Sequence, residues 1–166
     1  SDVMNLRGFA QVKLPVKGLS FHVDAAYDKI ASYSTTFQTP IVGDAAEMGG
    51  RSTKSSSRQV MFTSSQRLNY TRSFFNEKFD VNAMVGHESV RRESSGLQAQ
   101  MTNFFVPGNP EFGNAVTPGS DPYSGTSRYS LESYFGRAEF SFFNKYNVSA
   151  TYRRDGSSKF HPDNRW

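Results

Sequence analysis

Polar and apolar residues alternate one for one along three stretches of this chain, each beginning just after a short turn. Leu19, Phe21, Val23, Ala25 and Tyr27 fall on one parity, and Ser20, His22, Asp24, Ala26 and Asp28 on the other. Phe79, Val81, Ala83 and Val85 oppose Asp80, Asn82, Met84 and Gly86 in the same way. Tyr146, Val148, Ala150 and Tyr152 oppose Asn147, Ser149, Thr151 and Arg153. A period of two is that of an extended strand whose two faces meet unlike surroundings. The stretches before the turns alternate more loosely, through Ala10, Val12 and Leu14, then Leu68, Tyr70 and Phe74, then Ala138, Phe140 and Phe142. The turns themselves are Pro15-Val16-Lys17-Gly18, Phe75-Asn76-Glu77-Lys78 and Asn144-Lys145. The pattern predicts strands at 5–14, 19–29, 58–74, 79–90, 129–143 and 146–155, joined as antiparallel hairpins, with long polar loops at 30–57 and 91–128.

The expected fold class is therefore all-β, an up-and-down antiparallel meander. Each apolar stripe covers about ten residues, enough to cross a bilayer when the strand is tilted. A soluble two-layer sheet would alternate as well. Aromatic placement favours lipid, because Phe74, Phe75, Phe79, Phe142, Phe143 and Tyr146 crowd two of the turns, where an interfacial girdle belongs. Strand three fits less well, since Ser64, Gln66 and Arg72 share the parity of Leu68 and Tyr70. Arg72 lies beside a turn, within reach of headgroups, and Gln66 suggests a bulge. About six strands fall short of the eight of the smallest membrane barrels, so the chain is expected to be a segment of a larger one, with signal sequence absent.

Composition changes this picture little. The mean hydropathy of −0.60 averages a lipid face with polar loops and is uninformative. No apolar run approaches the length of a transmembrane helix. Cysteine is absent, which excludes a disulfide scaffold and thiolate metal sites. The net charge of +4 is spread along the chain without a dense basic block, so nucleic acid is not an expected partner. The histidines at 22, 87 and 161 are far apart, and no nucleophile elbow or phosphate loop occurs, so no catalytic residue, metal site or cofactor is assigned. His22 with Asp24 lacks a third ligand, and Glu88 and Glu93 beside Arg91 and Arg92 read as a mutually neutralising rim.

The last third carries a more specific signal. Ser133-Tyr134-Phe135-Gly136-Arg137-Ala138, Asn144-Lys145-Tyr146, Arg153-Arg154-Asp155-Gly156-Ser157-Ser158-Lys159-Phe160 and Pro162-Asp163-Asn164-Arg165-Trp166 follow one another in order. This set closely resembles the SusC/RagA family of TonB-linked outer-membrane transporters. Lys17-Gly18-Leu19-Ser20-Phe21 and Val85-Gly86-His87-Glu88 are weaker echoes, with His87, Lys159 and His161 departing from the residues common there. The resemblance implies a plugged barrel of about 22 strands in the outer membrane of a Bacteroidetes-like Gram-negative bacterium. It further implies import of bulky oligosaccharide or peptide, a SusD-like surface lipoprotein as partner, and TonB acting through the absent plug. The alternative is a soluble or surface-exposed β-sheet domain for carbohydrate binding or adhesion.

On that reading His22, Asp24, Asp28, Asn82, Glu88, Arg137 and Glu139 face the lumen, as a wall of hydrogen bonds and ion pairs or as contacts to plug and substrate. Arg153, Arg154, Asp155, Gly156, Ser157 and Ser158 read as structural, with Asp155-Gly156 signalling a turn or bulge. Among loop aromatics, Phe104, Phe105 and Tyr123 are candidate ligand contacts, with packing inside the loops as the other reading.

Overall fold

The computed structural model describes residues 1–75, 78–143, 145–161, 163 and 165–166. Strands β1 (Asp2–Lys13), β2 (Leu19–Gln38), β3 (Arg51–Phe74), β4 (Phe79–Phe104), β5 (Ala115–Phe142) and β6 (Tyr146–Ser157) form one six-stranded sheet in chain order. The fold is all-β and antiparallel, an open meander. The turn positions Asn76, Glu77 and Asn144, and Pro162 and Asn164 near the end of the chain, lie outside the described residues.

The strands run well past the alternating stretches. Most of 30–57 and 91–128, expected as loops, is strand, and the two connections shrink to 39–50 and 105–114. Alternation reports a difference between two faces; backbone pairing does not need one. Where both faces are wet, Ser, Thr and Gly stand on either, and the period of two vanishes while the ladder continues.

By contacts the chain divides into two units, the first made of 1–4, 29–60 and 93–127 and the second of 5–28, 61–92 and 128–166. The first unit holds the strand extensions and both connections. Its small core is Ala45 and Phe104, with Phe37 edge-on to Phe104 at 5.3 Å. The first connection meets the end of β4 through backbone, Phe104 N–H donating to Gly49 O at 2.8 Å. Asn114 staples the second connection, its Nδ2 donating to Val106 O and Asn109 O at 2.9 and 3.1 Å.

The second unit holds the alternating segments, and here the register of β5 with β6 sorts the faces. Ala138↔Ala150, Phe140↔Val148 and Phe142↔Tyr146 share one side, and Ser133↔Asp155, Arg137↔Thr151 and Glu139↔Ser149 the other. The apolar side is bare: Phe21 is 37% exposed, Val85 59% and Val148 57%. Among the described residues the buried hydrophobics are Ala45 and Phe104 alone, both in the first unit, so no second layer covers this face. Gly18 closes the first turn at φ +84, where Thr71 N–H donates to its carbonyl at 2.8 Å and an added Cβ would stand 2.1 Å from Thr71 O.

Candidate functional site

Opposite the bare face, the second unit carries a face of interlocked charges. Some find their partner two residues along the same strand and others on another strand of the sheet. His22 Nε2 lies 3.1 Å from Asp24 Oδ1, and Arg67 Nη2 donates to Asp24 Oδ2 at 2.6 Å. Both carboxylate oxygens of Asp24 are thus occupied, and the His22–Asp24 pair is part of an ion-pair chain. Phe9 stacks on His22 with centroids 6.2 Å apart. Nearer the turns, Thr71 Oγ1 donates to Asn82 Oδ1 at 3.3 Å, Asn82 Nδ2 to Glu139 Oε2 at 3.2 Å, and Arg137 pairs with Glu139. Thr71, Asn82 and Glu139 line a cavity of about 440 Å³ that also includes Asp80 and Asn147. Toward the far ends of the strands, Arg153 Nη2 sits 3.5 Å from Glu88 Oε1 and donates to Ser133 Oγ at 3.1 Å, while its Nε donates to Asp155 Oδ1 at 2.9 Å. Asp28 continues the parity of His22 and Asp24 along β2.

Arg153 to Ser158 is a strand end held from three sides. Arg153 lies over the Phe135 ring at 5.7 Å, and Phe135 in turn rests on Gly86, where an added Cβ would fall 2.5 Å from the ring. Gly86 is small because Phe135 occupies its side-chain space. Gly156 is small for the same kind of reason. It lies within β6 with no positive φ, and an added Cβ would fall 2.9 Å from Trp166. The expected turn or bulge at Asp155-Gly156 is therefore corrected to a close aromatic approach. The chain leaves the sheet just afterwards, where Ser157 N–H donates to Arg165 O at 2.9 Å and Ser158 N–H to Ser130 O at 2.9 Å.

Rows of aromatics border the apolar face. At the turns, Phe79 stacks on Phe142 at 4.8 Å and Phe140 at 6.2 Å and meets Phe74 at 6.0 Å, with Arg72 over Phe74 at 5.0 Å. Phe75 and Phe143 follow their strands at φ 55 and 51, and both are exposed. At the other border, Tyr134 contacts His87 at 4.8 Å and Trp166 at 5.6 Å. His87 Nδ1 is 2.9 Å from Gln66 Oε1. Gln66 stands within β3, beside His87, where the apolar stripe ends. The stripe between the two borders is about eight residues long, roughly 26 Å of strand and about 20 Å of height when tilted, close to the apolar band of a membrane barrel.

No protein-family model matches the chain. A TonB-dependent receptor P3 of Formosa agariphila is 28% identical over 91% of this chain and 15% of its own length. The TonB-dependent receptor SusC of Bacteroides thetaiotaomicron is 52% identical over 24% of this chain and 4% of its length. Structures of the RagAB peptide transporter, and of the RagAB peptide importer in its closed-closed state, superpose on 98% of this chain with TM-scores of 0.81 and 0.82 at 25% identity. The chain is similar to a stretch of a SusC/RagA-type receptor barrel. The segment spans about a sixth of the length of these relatives, 15% of the first and 18% of the RagAB chains. The relatives it matches are named as receptors and transporters.

Several partners in the segment were invisible one residue at a time. Arg67, Ser133 and Phe135 complete the charged face; no local signal marks Arg67, the motif marks Ser133 and Phe135 without their roles, and only the register between strands gives each its partner. Of the aromatic candidates in the first unit, Phe104 is 7% exposed and belongs to the small core. Phe105 and Tyr123 are exposed, at 75% and 70%.

Proposed function

We propose that this segment is wall of an outer-membrane transporter that imports bulky nutrients, oligosaccharide or peptide. The observation that carries the reading is the single-layer sheet with a bare apolar face, bordered by aromatic rows and backed by a charged one. Such a sheet is stable only if something apolar covers the first face and something wet or polar meets the second. Lipid outside and a hydrated, plugged lumen inside supply both. His22, Asp24, Asp28, Asn82, Glu88, Arg137 and Glu139 then face the lumen as a self-neutralised wall, which holds little net charge against a passing solute. Exposed Phe105 and Tyr123 are the aromatics left available to a solute or a lid. A SusD-like lipoprotein over the mouth and TonB pulling on a plug are the partners that fit; the name of the RagAB relative favours peptide, and that of SusC leaves the class open.

Uptake tests the reading. Cells with the full-length receptor are given labelled peptides and labelled oligosaccharides, with and without dissipation of the proton gradient. Gradient-dependent entry of one class, absent from cells lacking the receptor, is expected. Entry independent of receptor and gradient for both classes contradicts it.

A further inference from the structure

His87 stands in β4, between β3 and β5, at the border of the apolar face away from the turns, and each of its ring nitrogens faces a side chain of one neighbour. The β3 side fixes where its proton sits. Gln66 Nε2 donates to Ser64 Oγ, which leaves Gln66 Oε1 facing His87 Nδ1 at 2.9 Å as an acceptor. Nδ1 therefore carries the hydrogen. A neutral imidazole has one N–H, so Nε2 holds a lone pair, and it faces Glu132 Oε2 on β5 at 3.8 Å. At this distance two acceptors confront each other. Nε2 is also buried, with no hydrogen-bond partner among the described residues. Since these three strands already close off the atom, a longer chain cannot bring it another partner.

Acid reverses the relation. A proton from the medium, bound at Nε2 within the window of about pH 5 to 8 where histidine changes charge, turns the lone pair into a charged donor aimed at a carboxylate. Glu132 is half-exposed, so the medium reaches the pair. We propose that His87 and Glu132 form a proton-operated clasp between β4 and β5, open around the neutral ring and closed across the imidazolium. The groups around the pair do not switch with it. β3 presents the neutral Gln66 and Ser64, β4 has Val85 and Ser89 on the parity of His87, and Tyr134 of β5 lies against the ring at 4.8 Å. Arg154, the register partner of Tyr134, and Arg165, which borders a cavity of about 210 Å³ with Glu132, stand on the β6 side and stay charged throughout. The clasp is independent of which solute the wall admits.

The test unfolds the full-length receptor in liposomes with urea, as wild type, H87Q, E132Q and the double variant, at about pH 5.5 and about pH 8. Heat-modifiable gel mobility reports that each variant is folded beforehand. At the acidic pH each single substitution is expected to lower the midpoint, and the double variant to fall no further than the larger single. At the alkaline pH the two effects are expected to add. Coupling of equal size at both pH values, or none at either, overturns the clasp. Magic-angle-spinning spectra of receptor carrying nitrogen-15 histidine read the tautomer directly, the resonances missing from H87Q, or from H87Y should H87Q fail to assemble, being those of His87. Hydrogen on Nδ1 alone at the alkaline pH, and on both nitrogens at the acidic one, is expected. Hydrogen on Nε2 alone at the alkaline pH overturns the clasp as well.

Discussion

Gly18 shows how much a single position can decide. Its left-handed φ and the 2.1 Å approach of a would-be Cβ to Thr71 O leave no room for a side chain, and the same residue accepts the Thr71 N–H. Gly18→Ala is expected to destabilise the first hairpin by about 2 kcal/mol or more, read as a lowered urea midpoint for the receptor in vesicles. Gly86 fails differently, because its φ is ordinary and the obstacle is the Phe135 ring. Gly86→Val should cost about 1 to 3 kcal/mol by pushing Phe135 off its seat, and adding Phe135→Leu should recover part of that. Recovery in the double variant separates packing from backbone strain. Sequence marks both glycines equally; only the neighbouring strand distinguishes them.

At the scale of the strand, face decides the effect of a charge. Val81 and Asn82 are adjacent in β4 yet belong to opposite sides. Val81→Arg places a guanidinium in the apolar band, at a cost of about 2 to 4 kcal/mol near the bilayer midplane, whereas Asn82→Arg faces Glu139 and should change stability by less than about 1 kcal/mol. Assembly yield in the outer membrane and the urea midpoint both report the difference. Parity was legible in the sequence for this reason: one face is apolar and bare and the other polar, and the side chains record it. Strand ends were not legible, because beyond Tyr27 in β2 or His87 in β4 the recording stops while the backbone ladder continues. Ion-pair partners such as Arg67 for Asp24 were not legible either, since register between strands is set by turns and packing that no single segment encodes.

For the whole molecule, the in-order motifs of the last third named the barrel type, and superposition on RagAB structures over 98% of the chain agrees. What they left unassigned is the purpose of individual motif residues. Arg153 ties three neighbouring side chains, and Gly156 seats Trp166, so the motif works as a fastening of the strand end. The central claim concerns which solvent each face meets. Spin labels placed one at a time at Phe21, Val81 and Val148, and at Asp24, Asn82 and Ser149, in the full-length receptor reconstituted in liposomes, test it directly. The account predicts that the first three relax with oxygen and are shielded from an aqueous nickel chelate, and that the second three lack this lipid signature. Labels at Phe21, Val81 and Val148 that respond to neither quencher, as in a face buried under protein, or to nickel alone, would contradict it.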